Sequence, residues 1–296
     1  MSPTPDPARL AGQQVLVLGL GAFGGGAGCV RALLRLGARV TVTDLRPAER
    51  LGEALDELAG LEVETVLGGH PPELFQGQVV VVNPAVPPGA PVLRLARERG
   101  CLLTTQVNLA ARLLGRRSCA VVTGTHGKST CAALAAHLLA EDPRRPVVLG
   151  GNLGGSLLLQ ALEAPPDARF VLELSSFQLE RLEAPHGWPE CVVLTSLSED
   201  HLDRHGDPAA YWAAKRRAVA FQDAAGSLCL PAALPAARIA PWQKEAPGRI
   251  LWLGATELPT DREGWFLAGD RIRERRGGDE RELAPAAAAP FREPYR

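Results

Sequence analysis

The sequence predicts an α/β fold made of two successive domains, each built around a mostly parallel sheet. A chain of 296 residues is long enough for two domains of ordinary size. Strand and helix patterns alternate along the first third of the chain, and a strand, a helix and a parallel strand form the unit of a doubly wound sheet. The same alternation starts again after Ser118, so we expect a second α/β domain there.

The first domain begins with an apolar run from Gln14 to Leu18 that enters a glycine turn. An amphipathic stretch follows as far as Leu36, Gly37 ends it, and Arg39–Asp44 is predicted as the second strand. Further along we predict a helix near 50–59, strands at 63–67 and 79–82, and a helix near 91–99.

The segment Leu113–Ser118 is predicted as a hinge, after which the second domain begins. Its predicted elements are strands at 119–123, 170–174 and 191–195, helices at 128–140 and 208–223, and short strands with glycine turns from 248 to 276. The stretch from Ala284 to Pro290 is rich in alanine and proline and is predicted as a linker. The predicted domains are therefore 1–115 and 116–284, followed by a linker-like tail, 285–296.

Composition excludes several classes of protein. Apolar residues make up 46% and charged residues 22%, which is typical of a globular chain and excludes intrinsic disorder. The 33 acidic residues nearly balance the 32 basic ones, so we expect no nucleic-acid partner held by bulk charge. No apolar run reaches the length of a membrane-spanning helix, so we expect no membrane partner. The six cysteines are far apart, without a Cys-x-x-Cys pair, which predicts free thiols in a reducing cytoplasm.

Lysine is rare in this chain, where only Lys128, Lys215 and Lys244 stand among the 32 basic residues. Arginine serves the other positions that need a positive charge. A retained lysine is therefore a candidate for chemistry that arginine cannot perform, such as reaction as a neutral amine.

A glycine loop follows the first predicted strand. Gly19, Gly21 and Gly24 are spaced as in a Rossmann nucleotide-binding loop, and Asp44 ends the next strand. Glycines let the backbone approach a phosphate, and the following helix N-terminus attracts it, while Asp44 can accept hydrogen bonds from ribose hydroxyls. The loop predicts a Rossmann-like domain for a nucleotide with a diphosphate, and both NAD and a UDP-sugar remain open. A tight turn without a ligand is the structural alternative.

A second glycine loop, Thr123–Thr130, lies between a buried strand and a helix and ends like a P-loop in Gly-Lys-Ser. Its backbone N–H groups would cradle phosphates, Lys128 would neutralise them, and Ser129 would ligate Mg²⁺. Val122 stands where the full pattern has its first glycine, so the loop is a shortened variant. The residues predicted to bind ATP are Gly124, Thr125, His126, Gly127, Lys128, Ser129 and Thr130. Two nucleotide loops in one chain favour an enzyme that activates a nucleotide-linked substrate with ATP over a dehydrogenase.

Three further residues are candidates for chemistry, each with a structural alternative. Glu173 ends a predicted strand, where a carboxylate faces the ligand crevice, but taken alone such a glutamate is more often a cap or an ion-pair partner than a metal ligand. His201 lies in a segment dense in acids and histidines, although such a histidine is often simply solvated. Lys215 follows on an alanine-rich helix, where a solvated charge is the ordinary interpretation.

Four ordered segments resemble the signature motifs of the Mur ligases: Thr123–Thr130, Glu173–Glu180, Glu199–Arg204 and Tyr211–Lys215. The string Glu-Leu-Ser-Ser-Phe-Gln-Leu-Glu that starts at Glu173 is most similar to the branch of the family that adds D-glutamate. The resemblance covers almost the whole chain. It implies a P-loop-type central Mur ligase domain behind the Rossmann-like one.

The resemblance implies an ATP-dependent ligase of cytoplasmic peptidoglycan synthesis that joins D-glutamate to UDP-N-acetylmuramoyl-L-alanine through an acyl phosphate. It implies ATP and Mg²⁺ as cofactors and catalytic roles for Lys128, His201 and Lys215. The implied metal ligands are Ser129, Glu173, His201 and Lys215, the last as a carbamate. The residues that the resemblance places against the UDP-linked substrate are Leu20, Gly21, Ala22, Phe23, Asp44, Arg46 and Asn152.

The chain departs from the family pattern in three places. His126 stands where the D-glutamate branch more usually has asparagine, and histidine is typical of relatives that add L-alanine. Asn83-Pro-Ala replaces a Ser-Pro-Gly sequence near the pyrophosphate. Only Phe291–Arg296 follow the linker-like stretch, so we expect a ligase without the family's third domain. An L-alanine-adding ligase, a chain that binds the UDP substrate without turnover, and a nicotinamide-dependent dehydrogenase remain open.

Overall fold

A computed structural model describes residues 4–21, 25–116 and 118–286, which form two sheets that follow one another along the chain. The predicted α/β class with mostly parallel sheets is confirmed. Among these described residues, no helix combines the length and apolar character needed to cross a bilayer.

The first sheet is parallel throughout and has the order β3-β2-β1-β4-β5. Its strands are β1 (Gln14–Leu18), β2 (Arg39–Asp44), β3 (Val63–Leu67), β4 (Val79–Val82) and β5 (Leu102–Thr104). The helices of this domain are α1 (Gly25–Arg35), α2 (Gly52–Asp56), α3 (Pro91–Glu98) and α4 (Gln106–Leu114). The strand order reverses beside β1, and ligands of doubly wound sheets bind in the crevice at such a point.

The second sheet has the order β14-β13-β12-β11-β10-β9-β6-β8-β7. Its strands are β6 (Cys119–Thr123), β7 (Val147–Gly151), β8 (Arg169–Glu173), β9 (Cys191–Leu194), β10 (Ser227–Pro231), β11 (Arg249–Gly254), β12 (Gly264–Ala268), β13 (Arg271–Arg276) and β14 (Asp279–Pro285). The helices are α5 (Lys128–Ala140), α6 (Leu157–Glu163), α7 (Ser176–Leu179), α8 (Leu202–His205), α9 (Pro208–Arg216) and α10 (Ala236–Glu245). The pairings from β7 to β12 are parallel, and β13 and β14 add an antiparallel extension.

Several elements differ from the predicted ones. Helix α2 is shorter than predicted, and α9 ends at Arg216 instead of continuing to 223. Strand β14 extends to Pro285, at the start of the predicted tail, and residues 287–296 lie outside the described residues. At the predicted hinge, α4 ends at Leu114 and Gly115 follows with φ of 56°, while Arg117 lies outside the described residues. All six cysteines are free thiols, as predicted.

An apolar core joins the two domains through helices. Leu33 of α1, Leu109 of α4 and Leu158 of α6 are fully buried in one continuous cluster. A Cβ atom at Gly28 would lie 2.7 Å from the Cβ atom of Ser156, so only glycine lets α1 approach the start of α6 this closely. This packing fixes one domain against the other.

Asn108 adds a polar connection to this interface. Its amide donates to the Arg181 carbonyl at 2.9 Å, and its Oδ1 accepts from the Glu183 backbone N–H at 2.9 Å. The side chain is only 2% exposed, so both backbone groups depend on it in place of water.

We expect Asn108→Ala to lower the free energy of unfolding by about 1–3 kcal/mol, because it leaves buried polar groups without partners. Urea unfolding measures this change. Arg112→Ala, at an exposed position of the same helix, is the control and should change stability by less than about 0.5 kcal/mol. Equal stabilities of the two variants would contradict the role of Asn108.

Candidate functional site

A cavity of about 620 Å³ opens between the domains. Loops that follow β1, β2, β3 and β4 line one side, and loops that follow β7 and β8 line the other. The cavity is lined by five of the residues predicted to hold the UDP group, namely Leu20, Gly21, Asp44, Arg46 and Asn152. The other two, Ala22 and Phe23, lie outside the described residues.

Asp44 organises one end of this cavity. Its Oδ1 accepts from the backbone N–H and the Nε of Arg46, and its Oδ2 accepts from the Leu20 backbone N–H and from Arg46 Nη2, all at 2.9–3.0 Å. Burial acts to raise the pKa of Asp44, but the hydrogen bonds from Arg46 and Leu20 outweigh it and lower the pKa to about 2. The carboxylate therefore stays charged and holds both the glycine loop and Arg46 in place.

The second glycine loop connects β6 to α5 and is shaped by the end of β9. A Cβ atom on Gly124 would lie 2.1 Å from Thr195 Oγ1, and Gly124 has φ of 147°, so no other residue fits there. Thr195 Oγ1 donates to the His126 carbonyl at 2.6 Å, and the His126 N–H donates to Ser196 Oγ at 2.8 Å. These contacts with residues that follow β9 hold the backbone of the loop in place.

Helix α5 begins at this loop without a side-chain cap. Gly127 precedes it in the left-handed conformation with φ of 78°, whereas side chains of Thr105, Ser156 and Asp207 cap other helices of the chain. The first N–H groups of α5 thus remain available, and the positive end of the helix dipole favours an anion. This geometry suits a phosphate.

Lys128 and Ser129 lie in the first turn of α5. The Lys128 ammonium donates to the Thr125 carbonyl at 2.9 Å and so folds back over the loop. Ser129 Oγ donates to Glu173 Oε2 at 2.6 Å, and the Asn152 amide donates to Glu173 Oε1 at 3.1 Å. Asn152 also lines the cavity, so a continuous set of contacts joins the cavity to the second glycine loop.

The Glu173 carboxylate is 2% exposed, and the hydrogen-bond partners of its side chain among the described residues are neutral. A buried carboxylate without a cationic hydrogen-bond partner is a position that a divalent cation stabilises, and carboxylate and hydroxyl oxygens suit Mg²⁺. Within the described ranges, no three His, Cys, Asp or Glu side chains gather as a metal-binding group. Mg²⁺ usually takes few protein ligands together with phosphates and water, so Ser129 and Glu173 fit it.

Lys215 is buried in α9 beside the same loop. It is 1% exposed, its ammonium donates to the Gly124 carbonyl at 2.7 Å, and it lies 4.5 Å from the ring centre of Tyr211. Burial and the positive charge of Lys128 lower the pKa of Lys215 to about 7. The residue is therefore not the solvated surface charge that helical lysines usually are.

His201 lies at the same edge of the sheet without touching Ser129 or Glu173 through a hydrogen bond. Its ring centre is 4.9 Å from that of Phe177 and 6.1 Å from that of Tyr211. It has φ of 50°, which is uncommon for a residue other than glycine and is often found at functional sites.

Helix α8, which begins after His201, contacts a loop of the first domain. Arg204 donates to the Pro84 carbonyl at 2.8 Å and the Ala85 carbonyl at 3.1 Å, in a loop that lines the cavity. An ion pair with Glu180 and the Phe177 ring, 4.4 Å from the guanidinium carbon, hold Arg204 in position. The histidine and the cavity loop are thus joined through one short helix.

Sequence reasoning missed several residues of this region. Tyr211 contacts Thr125 Oγ1 at 3.4 Å and Gln178 lines the cavity, and both lie within the quoted motifs but were given no role. Gln106 and His70 also line the cavity. Thr195 and Ser196 follow β9, and their position at the end of a parallel strand could have indicated that they lie near the site. His70 carried no motif that could have indicated it.

The first glycine loop lines the cavity, and Asn152 and Glu173 connect the cavity to the second glycine loop, an arrangement typical of α/β proteins that bind nucleotide phosphates. Two family models match this chain: "Mur ligase MurD-like, N-terminal domain" over residues 13–105 and "Mur ligase middle domain" over residues 122–283. The chain belongs to the Mur ligase family.

Curated relatives agree with this assignment. A UDP-N-acetylmuramoylalanine--D-glutamate ligase of Roseiflexus sp. (strain RS-1) is 38% identical over 281 residues, which cover 91% of this chain and 59% of that protein. The protein of the same name from Anaeromyxobacter dehalogenans (strain 2CP-C) is 44% identical over 216 residues, which cover 73% and 45%. The chain thus spans about half the length of the curated relatives it matches.

Solved structures show the same fold at low sequence identity. The crystal structure of UDP-N-acetylmuramate:L-alanyl-gamma-D-glutamyl-meso-diaminopimelate ligase from Neisseria meningitides has a TM-score of 0.57 at 17% identity and covers 91% of this chain and 86% of that chain. A murein peptide ligase from Psychrobacter arcticus 273-4 has a TM-score of 0.50 at 18% identity, with 88% and 58% covered.

The lowered pKa of Asp44 predicts a specific pH dependence of stability. Because the folded value of about 2 lies below the ordinary value of 3.8, ionised Asp44 stabilises the fold above about pH 4, and this contribution is lost as the pH falls toward 2. We expect the difference in unfolding free energy between the wild type and Asp44→Asn to shrink over that range. Urea unfolding at stepped pH measures it.

Arg46→Ala is the matched variant for this measurement. Arg46→Ala removes the side-chain donors that lower the pKa of Asp44. In this background the substitution Asp44→Asn should therefore change the free energy of unfolding less over the same pH range. A difference that stays constant between pH 5 and pH 2.5 would contradict the prediction.

Proposed function

We propose that this chain is the substrate-binding and ATP-binding part of an ATP-dependent ligase that joins D-glutamate to UDP-N-acetylmuramoyl-L-alanine. The observation that carries the proposal is the contact path from the cavity through Asn152 and Glu173 to Ser129. It supports a site in which a nucleotide-linked substrate meets ATP. The names of the curated relatives support D-glutamate as the amino acid.

In this proposal the second glycine loop binds the phosphates of ATP. The loop from Gly124 to Thr130 and the uncapped start of α5 offer backbone N–H groups, and Lys128 supplies positive charge. Ser129 and Glu173 would hold Mg²⁺, which neutralises phosphate charge when bound. We propose His201 and Lys215 as further metal-site residues, on the same edge of the sheet.

The cavity would hold the UDP-linked substrate. Arg46, fixed by Asp44, would face the anionic nucleotide, and the glycine loop with Leu20 and Gly21 would approach the diphosphate. The residues at 22 and 23 belong to the same proposed subsite. Asn152 would place the far end of the substrate beside Glu173.

The reaction follows from the weakness of a carboxylate as an acyl donor. Transfer of the γ-phosphoryl group of ATP to the substrate carboxylate forms an acyl phosphate and ADP. The D-glutamate amine then attacks the acyl carbon, a proton leaves the amine, and phosphate departs with the C–O electron pair. Positioning and neutralisation of charge by Lys128 and the loop N–H groups supply most of the acceleration.

Lys215 suits a role that requires a neutral amine. With a pKa of about 7, a substantial fraction is unprotonated at neutral pH. The neutral nitrogen can attack CO₂, forming an N–C bond and releasing a proton, which converts a buried cation into an anion. We propose that this carbamate contributes to the metal site, as arginine could not.

Carbon-13 NMR in labelled bicarbonate tests this role. We expect a carbamate resonance in the wild type that strengthens between about pH 6 and 8, as the Lys215 amine loses its proton. Lys215→Arg should abolish the resonance, and Lys244→Arg, at an exposed position on α10, should leave it unchanged. A resonance that persists in Lys215→Arg would contradict the assignment.

Calorimetry and phosphate release test the proposed function on this chain. We expect binding of UDP-N-acetylmuramoyl-L-alanine and of Mg²⁺–ATP, and phosphate release only when D-glutamate is also present. Lys128→Ala should weaken ATP binding by at least about tenfold and leave the UDP substrate bound, because a charge-assisted contact to phosphate is lost. Arg46→Ala should weaken binding of the UDP substrate and leave ATP bound, so each variant is the matched control for the other.

The outcomes separate the remaining alternatives. Binding of both ligands without phosphate release would select a binding function for this part of the ligase. Faster phosphate release with L-alanine and unsubstituted UDP-N-acetylmuramate would overturn D-glutamate, an alternative to which His126 gives some weight. Quenching of NADH fluorescence without UDP binding would overturn the ligase altogether. The cytoplasmic location stays a prediction.

A further inference from the structure

The cavity end beyond β2 and β3 contains a histidine that the family motifs did not indicate. His70 follows β3 and lines the cavity together with Leu45 and Arg46. Leu45 is 69% exposed, which is unusual for a large apolar side chain and offers a surface for a flat ring. If the proposed function holds, the reacting carboxylate must lie beside Asn152, so the nucleoside occupies this opposite end.

Asp44 would ordinarily be the hydrogen-bond acceptor for the nucleoside here. A carboxylate offers about four lone-pair positions. Four donors of the chain already fill them, from Leu20 and Arg46. Asp44 therefore has little remaining capacity to accept a hydrogen bond from a ligand.

The contacts of His70 fix which of its nitrogens carries hydrogen. Thr43 is fully buried, and its hydroxyl donates to the Gly69 carbonyl at 2.9 Å. A hydroxyl has a single hydrogen, so in its 2.8 Å contact with His70 Nδ1 the Thr43 oxygen must accept. Nδ1 consequently carries a hydrogen, and a neutral ring then has a lone pair on Nε2.

The backbone around His70 is also tied to the loop after β2. The Gly69 N–H donates to the Asp44 carbonyl at 3.2 Å, and the Gly68 N–H donates to the Arg46 carbonyl at 3.1 Å. Burial lowers the pKa of His70 more than the nearby Asp44 carboxylate raises it, so the ring is neutral at neutral pH. Among the described residues, none donates a hydrogen bond to Nε2.

We propose that Nε2 of His70 accepts a hydrogen bond from an N–H or O–H donor of the uridine, the role that Asp44 cannot take. Uridine has two kinds of donor that reach such an acceptor: the N3–H of the base and the ribose hydroxyls. The inference rests on the proposed UDP-substrate site and assigns to it a residue that selects the nucleoside.

Two substitutions separate the two ring nitrogens. In His70→Asn the side-chain amide can still donate to Thr43 from near the Nδ1 position, but nothing reaches the Nε2 position. In His70→Gln the amide oxygen can reach the Nε2 position. We expect the affinity for UDP, measured by calorimetry, to fall roughly 3- to 10-fold in His70→Asn and to be largely retained in His70→Gln.

Analogues of the ligand identify the donor. If the base donates, N3-methyl-UDP binds the wild type several-fold more weakly than UDP, and His70→Asn binds both equally. If the ribose donates, 2′-deoxy-UDP shows this pattern instead. Either result supports the proposal, because the loss of affinity caused by the analogue is absent only when its hydrogen-bond partner, His70, has been replaced.

Two outcomes overturn the proposal. Equal UDP affinity of the wild type and His70→Asn, or analogue penalties that survive in His70→Asn, exclude His70 as the acceptor and leave the ligase function intact. Failure of the wild type to bind UDP at all overturns the proposed function together with this inference. Unfolding of the variants by urea, compared with the wild type, distinguishes lost affinity from lost folding.

Discussion

The Glu173 carboxylate lies at the end of β8 almost without exposure to water, between the Ser129 hydroxyl and the Asn152 amide. The same residue accepts the Asn152 N–H on its carbonyl at 2.7 Å, where a Cβ atom on Gly151 would lie 2.2 Å from that oxygen. These contacts bring β7, β8 and the start of α5 to one point. The hydrogen-bond partners of the Glu173 side chain among the described residues are neutral, so a divalent cation would stabilise the carboxylate at this position.

Lys215 is a second buried ionisable residue, and it contacts the second glycine loop at Gly124. Arginine could not lose its charge in such a buried position, whereas the lysine can do so near neutral pH. The low lysine content of the chain made this residue conspicuous in the sequence. What the sequence could not show was the burial, which depends on α9 packing against the Gly124 carbonyl and Tyr211.

Much of the fold was predictable, because buried parallel strands such as β1 and β4 are short apolar runs between turns. Strand β10 was missed, since Ser227–Pro231 has a cysteine and a proline in only five residues. Helix α10 was missed because Pro241 lies inside it; burial of Ile239 and Trp242 outweighs that cost. Local propensity was overruled there by packing against distant residues.

The site was less predictable than the fold. The structure brings Ser129 and Glu173, which the family resemblance had paired, into contact, because strand ends and the following loops share one edge of a parallel sheet. Their role as metal ligands stays a prediction. The sequence identified Asp44 as a hydrogen-bond acceptor. It could not show that donors of Leu20 and Arg46 already occupy the carboxylate. His70 depends on contacts with Thr43 and Gly69 that no spacing rule encodes.

The short helix α8 has a mechanical consequence. Arg204 donates hydrogen bonds to the carbonyls of Pro84 and Ala85. His201 precedes it by three residues and has a positive φ. Arg204 thus ties the 84–85 segment of the first domain to the single turn of helix that begins after His201. A loop that lines the cavity and the constrained backbone at His201 therefore share one set of hydrogen bonds, so neither is positioned independently of the other.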